Sequence, residues 1–113
     1  MNRRGNLGRS GEEIAAGYLE QLGYVVVGRN VRLPGGEIDV ICRDKDVFVF
    51  VEVKTRSTAR FGSAVSAVDA RKRRTLRALA ADWLQFAAPR ARARFDVVTV
   101  RDGRVAHYRG AFA

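Results

Sequence analysis

An acid and an amine interrupt the most apolar stretch of the chain, Val47-Phe48-Val49-Phe50-Val51-Glu52-Val53-Lys54. Strand side chains alternate between faces, so Phe48, Phe50, Glu52 and Lys54 fall on one face and Val47, Val49, Val51 and Val53 on the other. Desolvating an unpaired ion is costly, so two charged groups at the end of an apolar strand imply something that holds them. A same-face ion pair on a half-exposed strand would satisfy them too, since alternating charge near strand ends is common.

A second charged interruption lies upstream in Gly35-Gly36-Glu37-Ile38-Asp39-Val40-Ile41-Cys42. Alternation puts Ile38, Val40 and Cys42 on one face and Glu37, Asp39 and Ile41 on the other. Arg43-Asp44-Lys45-Asp46 separates the two runs by the length of a hairpin turn, so the strands should pair antiparallel. A turn centred on residues 44 and 45 would set position 39 opposite position 50, with Asp39 in diagonal reach of Glu52. Two carboxylates and a lysine at one sheet edge would suit a hard divalent cation and the water it activates. The plainer alternative makes Asp39 a solvated acid near the turn.

Two helices must position these groups. Residues 10–22 read as the first: Ser10 is a good N-cap, Glu12 and Glu13 occupy the first turn, and Gly23 supplies the stop. At about 100° per residue, Ile14, Ala15, Tyr18, Leu19 and Leu22 form its apolar stripe. Glu12 lies at the edge of that stripe, able to reach along the buried face, or simply to complement the helix dipole. The second helix is expected from near Ser66 to Ala88, ended by Pro89, with Leu76, Leu79, Ala80, Trp83 and Ala87 as its core stripe. Arg74 and Arg77 point to solvent, whereas Lys72 falls about 30° from the stripe's centre and projects toward the sheet. Its ammonium could contact phosphate, or its methylenes could cover the core edge. Arg73 on this helix, and Arg56 and Arg60 in the loop from Thr55 to Ala64, are further candidates for nucleic-acid contact, although that loop also reads as a plain strand-to-helix connection.

Strands over 24–29, 37–42, 47–54, 95–100 and 105–109 complete an α/β chain with element order αβββαβ and one further strand, the last two joined by an Asp102-Gly103 turn. The strand entering the second helix and the one leaving it should pair parallel across a right-handed crossover, giving a central mixed sheet with a helix on each side.

Gly11-Glu12-Glu13-Ile14-Ala15-Ala16, Gly36-Glu37-Ile38-Asp39 and Val51-Glu52-Val53-Lys54-Thr55-Arg56 together resemble the YraN family of small bacterial proteins, as do Asn30-Val31-Arg32, Phe61-Gly62, Lys72 and Arg94-Phe95-Asp96-Val97-Val98. That family is similar to the PD-(D/E)xK nuclease superfamily, which includes archaeal Holliday-junction resolvases. The resemblance implies a restriction-endonuclease-like fold and a metal-dependent endonuclease acting on DNA, branched or single-stranded. It implies Mg²⁺ or Mn²⁺ held by Asp39, Glu52 and the Val53 backbone carbonyl. Lys54 would orient or activate water, and Glu12 would support that metal or a second one. Ile38 stands where the superfamily's name has proline. The alternative within the same fold is a nucleic-acid-binding protein that does not cut.

Composition sets the frame. The 113 residues suffice for one domain over 10–113, and 47% apolar content for one modest core. Met1 to Arg9, rich in Arg, Gly and Asn, reads as a flexible basic arm rather than a signal peptide. No apolar run approaches membrane-spanning length. The formal charge is +9, which favours polyanions, nucleic acid above all. With one Cys and one His, a soft zinc site has too few ligands, and carboxylate chemistry points to Mg²⁺ or Mn²⁺. Cys42 reads as a small buried hydrophobe and His107 as structural; Asp96 could stand behind the site but reads better as structural. A lone Cys excludes an internal disulfide and agrees with the reducing cytoplasm. A homodimer would suit cutting two strands of a junction.

Overall fold

The computed structural model describes residues 10–56 and 69–113. Their elements follow the order α1 (Gly11–Gln21), β1 (Val25–Leu33), β2 (Gly36–Asp44), β3 (Val47–Arg56), α2 (Ala70–Ala87), β4 (Arg92–Arg101) and β5 (Arg104–Phe112). The expected arm over 1–9, Arg60, the Phe61-Gly62 pair and the start of the second helix at Ser66 lie outside the described residues. Among those described, no helix is long and apolar enough to cross a membrane.

The strands form one sheet in the order β1-β2-β3-β4-β5. Pairing is antiparallel throughout except between β3 and β4, which run parallel from Val47↔Arg92 to Arg56↔Arg101. This is the parallel pair expected on either side of α2, and the α/β architecture expected from the sequence.

Each helix covers one face, and the alternation of β3 decides which. Val49 and Val51 meet Ala15 and Leu19 of α1, with Val40, Cys42, Val98 and Val100 completing that layer. Phe50 and Phe48 meet Leu79, Ala80 and Trp83 of α2. Trp83 is edge-on to both rings, at 5.3 Å from Phe48 and 5.8 Å from Phe50, so it packs as core. Helix α1 starts with a full capping box: the Ser10 hydroxyl accepts from Glu13 N–H and the Glu13 carboxylate accepts from Ser10 N–H. Leu22, expected on its apolar stripe, is instead exposed at the C-cap. Helix α2 begins at Asp69, whose carboxylate accepts from Lys72 N–H, and Pro89 follows its C-cap Ala88.

β2 departs from the pattern of its residues in two places. The β2–β3 turn is Lys45-Asp46, closed by Asp44↔Val47, rather than centred on 44 and 45. Asp44 belongs to the strand because Arg94 and Arg109 hold its carboxylate at 3.2 and 3.6 Å, and Lys45 takes the turn with φ of 59°. Position 39 therefore aligns with position 52, not 50. Alternation also breaks inside β2: Val40 and Cys42 face α1, but Ile38 joins Ile41 on the α2 side. The backbone reorients at Asp39, between them.

A second polar network ties α1 to the far edge of the sheet. Asp96 is fully buried and accepts from Arg94 Nε at 3.0 Å, from Gly110 N–H at 2.9 Å and from His107 Nε2 at 2.7 Å. With Nε2 donating, His107 Nδ1 is left to accept the Tyr18 hydroxyl at 3.1 Å. Asp96 and His107 are thus structural, as read from the sequence. Asp96→Ala should cost about 1–3 kcal/mol for each group left without an acceptor, His107 Nε2 and the Gly110 N–H, as read by urea denaturation, while Arg94 keeps Asp44 and Tyr24. Burial pushes the Cys42 thiol up to about 12. It should therefore resist a thiol reagent at pH 8 in the folded protein and react at once in urea.

Candidate active site

Pairing between β2 and β3 ends at Val40↔Val51, and the sheet forks there. Beyond the fork the Val53 amide has no backbone acceptor on β2, and the Asp39 carboxylate takes its place: Val53 N–H donates to Asp39 Oδ2 at 2.9 Å. In an extended strand the N–H and C=O of one residue point the same way, so the Val53 carbonyl opens toward the same gap as Asp39. The fork brings Asp39, Val53 and Glu52 together between β2 and β3, inside the sheet rather than at the edge expected from the sequence.

Glu52 is 4% exposed, on the α2 side with Phe48 and Phe50. Its Oε2 receives two ammonium groups, Lys54 Nζ and Lys72 Nζ, each at 3.5 Å. Its Oε1 is buried and has no hydrogen-bond partner among the described residues. A buried carboxylate oxygen left unsatisfied is costly, and such groups in native proteins are met by a bound water or an ion, or mark a strained or catalytic site. The expected projection of Lys72 toward the sheet is met, since its nitrogen reaches the same oxygen as Lys54.

Glu12 enters from the other layer. A Cβ on Gly11 would collide with Thr55 Oγ1, so a larger residue there would make the Thr55 side chain shift where the start of α1 meets the end of β3. Burial raises the pKa of Glu12, the Asp39 carboxylate raises it further, and a hydrogen bond from Asn30 pulls it back. Asn30 sits in the left-handed region at φ 49°, a conformation Asn tolerates better than most residues. It entered the sequence reading only through the family resemblance, and its bond to Glu12 has no signature in spacing. Glu37 is paired with Arg32 at 3.7 Å on the rim.

Burial also raises the pKa of Asp39, against the Val53 hydrogen bond and the Lys72 ammonium. Glu52 is raised by burial and by Asp39, against Lys72 and then Lys54. Among the described residues no three acid, His or Cys side chains converge as a ready-made metal cage. The oxygens of Asp39 and Glu52 with the Val53 carbonyl nevertheless form a hard donor set suited to Mg²⁺ or Mn²⁺, to be completed by water or substrate oxygens. Glu52 Oε1, without a hydrogen-bond partner among the described residues, is the donor atom that such an ion would engage.

Of the proposed nucleic-acid contacts, Lys72 is at the site. The Arg73 guanidinium lies over the Phe112 ring, 5.5 Å from its centroid, at the β5 edge. Arg56 closes β3, and its side chain, like Arg60, lies outside the described residues.

Because the folded pKa of Asp39 lies above its unfolded value, its ionisation opposes folding: the stability is full below the unfolded pKa and is lost as pH rises toward the folded one. Asp39→Asn without metal should melt at or above the wild-type temperature at pH 8. The gap should close as pH falls through the carboxylate range, which a melting series in pH would read directly.

Residues 11–100 match the uncharacterised protein family UPF0102. The chain is 48% identical over 113 residues to a UPF0102 protein of Mycolicibacterium vanbaalenii, covering 95% of this chain and 93% of the other. It is 46% identical over 89 residues to the UPF0102 protein Lxx14785 of Leifsonia xyli subsp. xyli, covering 79% and 75%. A UPF0102 protein of Syntrophotalea carbinolica is 43% identical over 116 residues, covering 97% and 94%. With this family match running through Glu12, Asp39, Glu52, Lys54 and Lys72, the chain belongs to the UPF0102 family, the YraN-like proteins it was seen to resemble.

Proposed function

We propose that this protein is a Mg²⁺- or Mn²⁺-dependent phosphodiesterase acting on DNA, with branched or single-stranded DNA as the expected substrate. The observation that carries the reading is the buried Glu52, whose Oε1 lacks a hydrogen-bond partner among the described residues while Asp39 and Lys54 stand beside it at the fork.

A phosphodiester is anionic and repels hydroxide, so hydrolysis needs its charge neutralised and a water held in line with the departing oxygen. A divalent ion held by Asp39, Glu52 and the Val53 carbonyl, with Glu12 in support, would supply that neutralisation and make the water more acidic. The residues do the positioning. Asp39 is fixed in the plane of the sheet by the Val53 amide. Lys54 Nζ, held at Glu52, orients the attacking water by hydrogen bonding. Water adds to phosphorus, the bond to one sugar oxygen breaks, and a proton passes to that oxygen, leaving a phosphate monoester and a free hydroxyl. Lys72 is the candidate for holding the substrate phosphate, aided by the chain's net charge of +9. A reducing cytoplasm suits the buried Cys42 thiol. Two cuts across a junction would call for two copies of the site, as in a homodimer.

Calorimetric titration with Mn²⁺, followed by incubation with single-stranded, duplex and four-way-junction DNA, tests this reading. Asp39→Asn and Glu52→Gln should lose both metal binding and cleavage. Lys54→Ala should keep the metal while turnover drops about a hundredfold or more. Cleavage that survives both carboxylate changes would sink the assignment. DNA binding that ignores Mg²⁺ and never leads to cutting would instead establish the non-catalytic binding protein.

A further inference from the structure

Two ammonium groups converge on one oxygen of Glu52 while the other oxygen of the same carboxylate has none. One lysine would neutralise that carboxylate, so the second is surplus unless it serves a neighbour. Lys72 does: it acts on Asp39 more strongly than Lys54 does, as well as holding Glu52. Its ammonium therefore stands in the field of both carboxylates.

The two lysines differ in how firmly they are held. Lys54 comes from near the end of β3, two residues from Glu52, and its side chain is 28% exposed. Lys72 comes from the first turn of α2 on a flexible stem, and its side chain is 41% exposed, with a path to solvent. Past the N-cap Asp69 that turn contains no acid, and Arg71, Lys72, Arg73 and Arg74 follow one another from it. A helix dipole disfavours cations at this end and favours anions. Lys72 is thus kept inward chiefly by carboxylates that a divalent ion would engage instead.

We propose that Lys72 is an internal counter-ion: it stands in at Glu52 for the divalent cation, is displaced outward when that cation binds, and is thereby delivered to the incoming phosphate. The inference rests on the metal-dependent reading and adds an order of events, in which the cation comes first and the phosphate grip follows. Lys72 is in this sense a positioning residue whose grip is set by the metal.

The full chain is titrated with MnCl₂ in a calorimeter at pH 8. Lys72→Met should bind Mn²⁺ about tenfold more tightly than wild type, about 1.4 kcal/mol, because the competing cation is gone. Arg74→Met, which removes an exposed charge from the same helix, should leave the affinity unchanged. In the wild-type protein, the side-chain ¹⁵Nζ resonance of Lys72 should shift on saturation with Mg²⁺, a readout that survives even if the variant fails to fold. Equal or weaker Mn²⁺ binding by a folded Lys72→Met, or a Lys72 resonance unmoved at saturating Mg²⁺, would overturn the displacement. Absence of Mn²⁺ binding in wild type and both variants alike would overturn the metal-dependent reading beneath it, a result distinct from the first.

Discussion

A single side-chain hydrogen bond lets this sheet open without fraying. Where β2 leaves β3, an amide on a nearly buried strand would lose its acceptor, and the cost of an unpaired buried N–H is comparable to a lost hydrogen bond. Asp39 meets that need from the departing strand, through its carboxylate rather than its backbone. The site depends on this substitution. It holds one carboxylate in the sheet plane, turns the Val53 carbonyl into the same gap, and puts Glu52 on the adjoining position of β3. It lies where alternation in β2 breaks, between Val40 on the α1 face and Ile38 on the α2 face.

The electrostatic arrangement around the fork follows from its position between layers. Helix α1 reaches it from one face with Glu12 and helix α2 from the other with Lys72, so negative and positive groups arrive from opposite sides of the sheet. Burial works against ionisation of Glu12, Asp39 and Glu52 alike, and the carboxylates make it worse for one another. The lysines offset part of this without completing the hydrogen bonding of Glu52. A site with three carboxylates against two lysines, and with Glu52 Oε1 buried and lacking a hydrogen-bond partner among the described residues, differs from an ordinary surface ion pair, whose oxygens water reaches freely.

Much of this was legible in the residues. The alternation of valine and phenylalanine in β3 assigns each face to its helix, since only a strand covered on both sides is apolar on both. The 3.6-residue period of α2 points Lys72 inward, and Ser10 with Glu13 marks the start of α1. What local pattern could not supply was set by distant contacts. The β2–β3 register depends on Asp44 being held in the strand by Arg94 and Arg109, roughly half the chain away. The break in alternation at Ile38 depends on an amide of a neighbouring strand. Asn30 meets Glu12 only because β1 folds back beside α1. Strand periodicity carries no information about any of these.

The buried Asp96 network has a mechanical meaning for the distant acids. Tyr18 and Glu12 lie on the same short helix, about 9 Å apart along its axis at 1.5 Å per residue. Tyr18 is moored through His107 to Asp96, while the opposite end of the helix presses against Thr55 with no room for a side chain at Gly11. Helix α1 is therefore a lever fixed at one end and seated tightly at the other. A shift of the outermost strand, β5, would reach the helix through His107 and Tyr18 and would press on the Gly11–Thr55 contact beside Glu12.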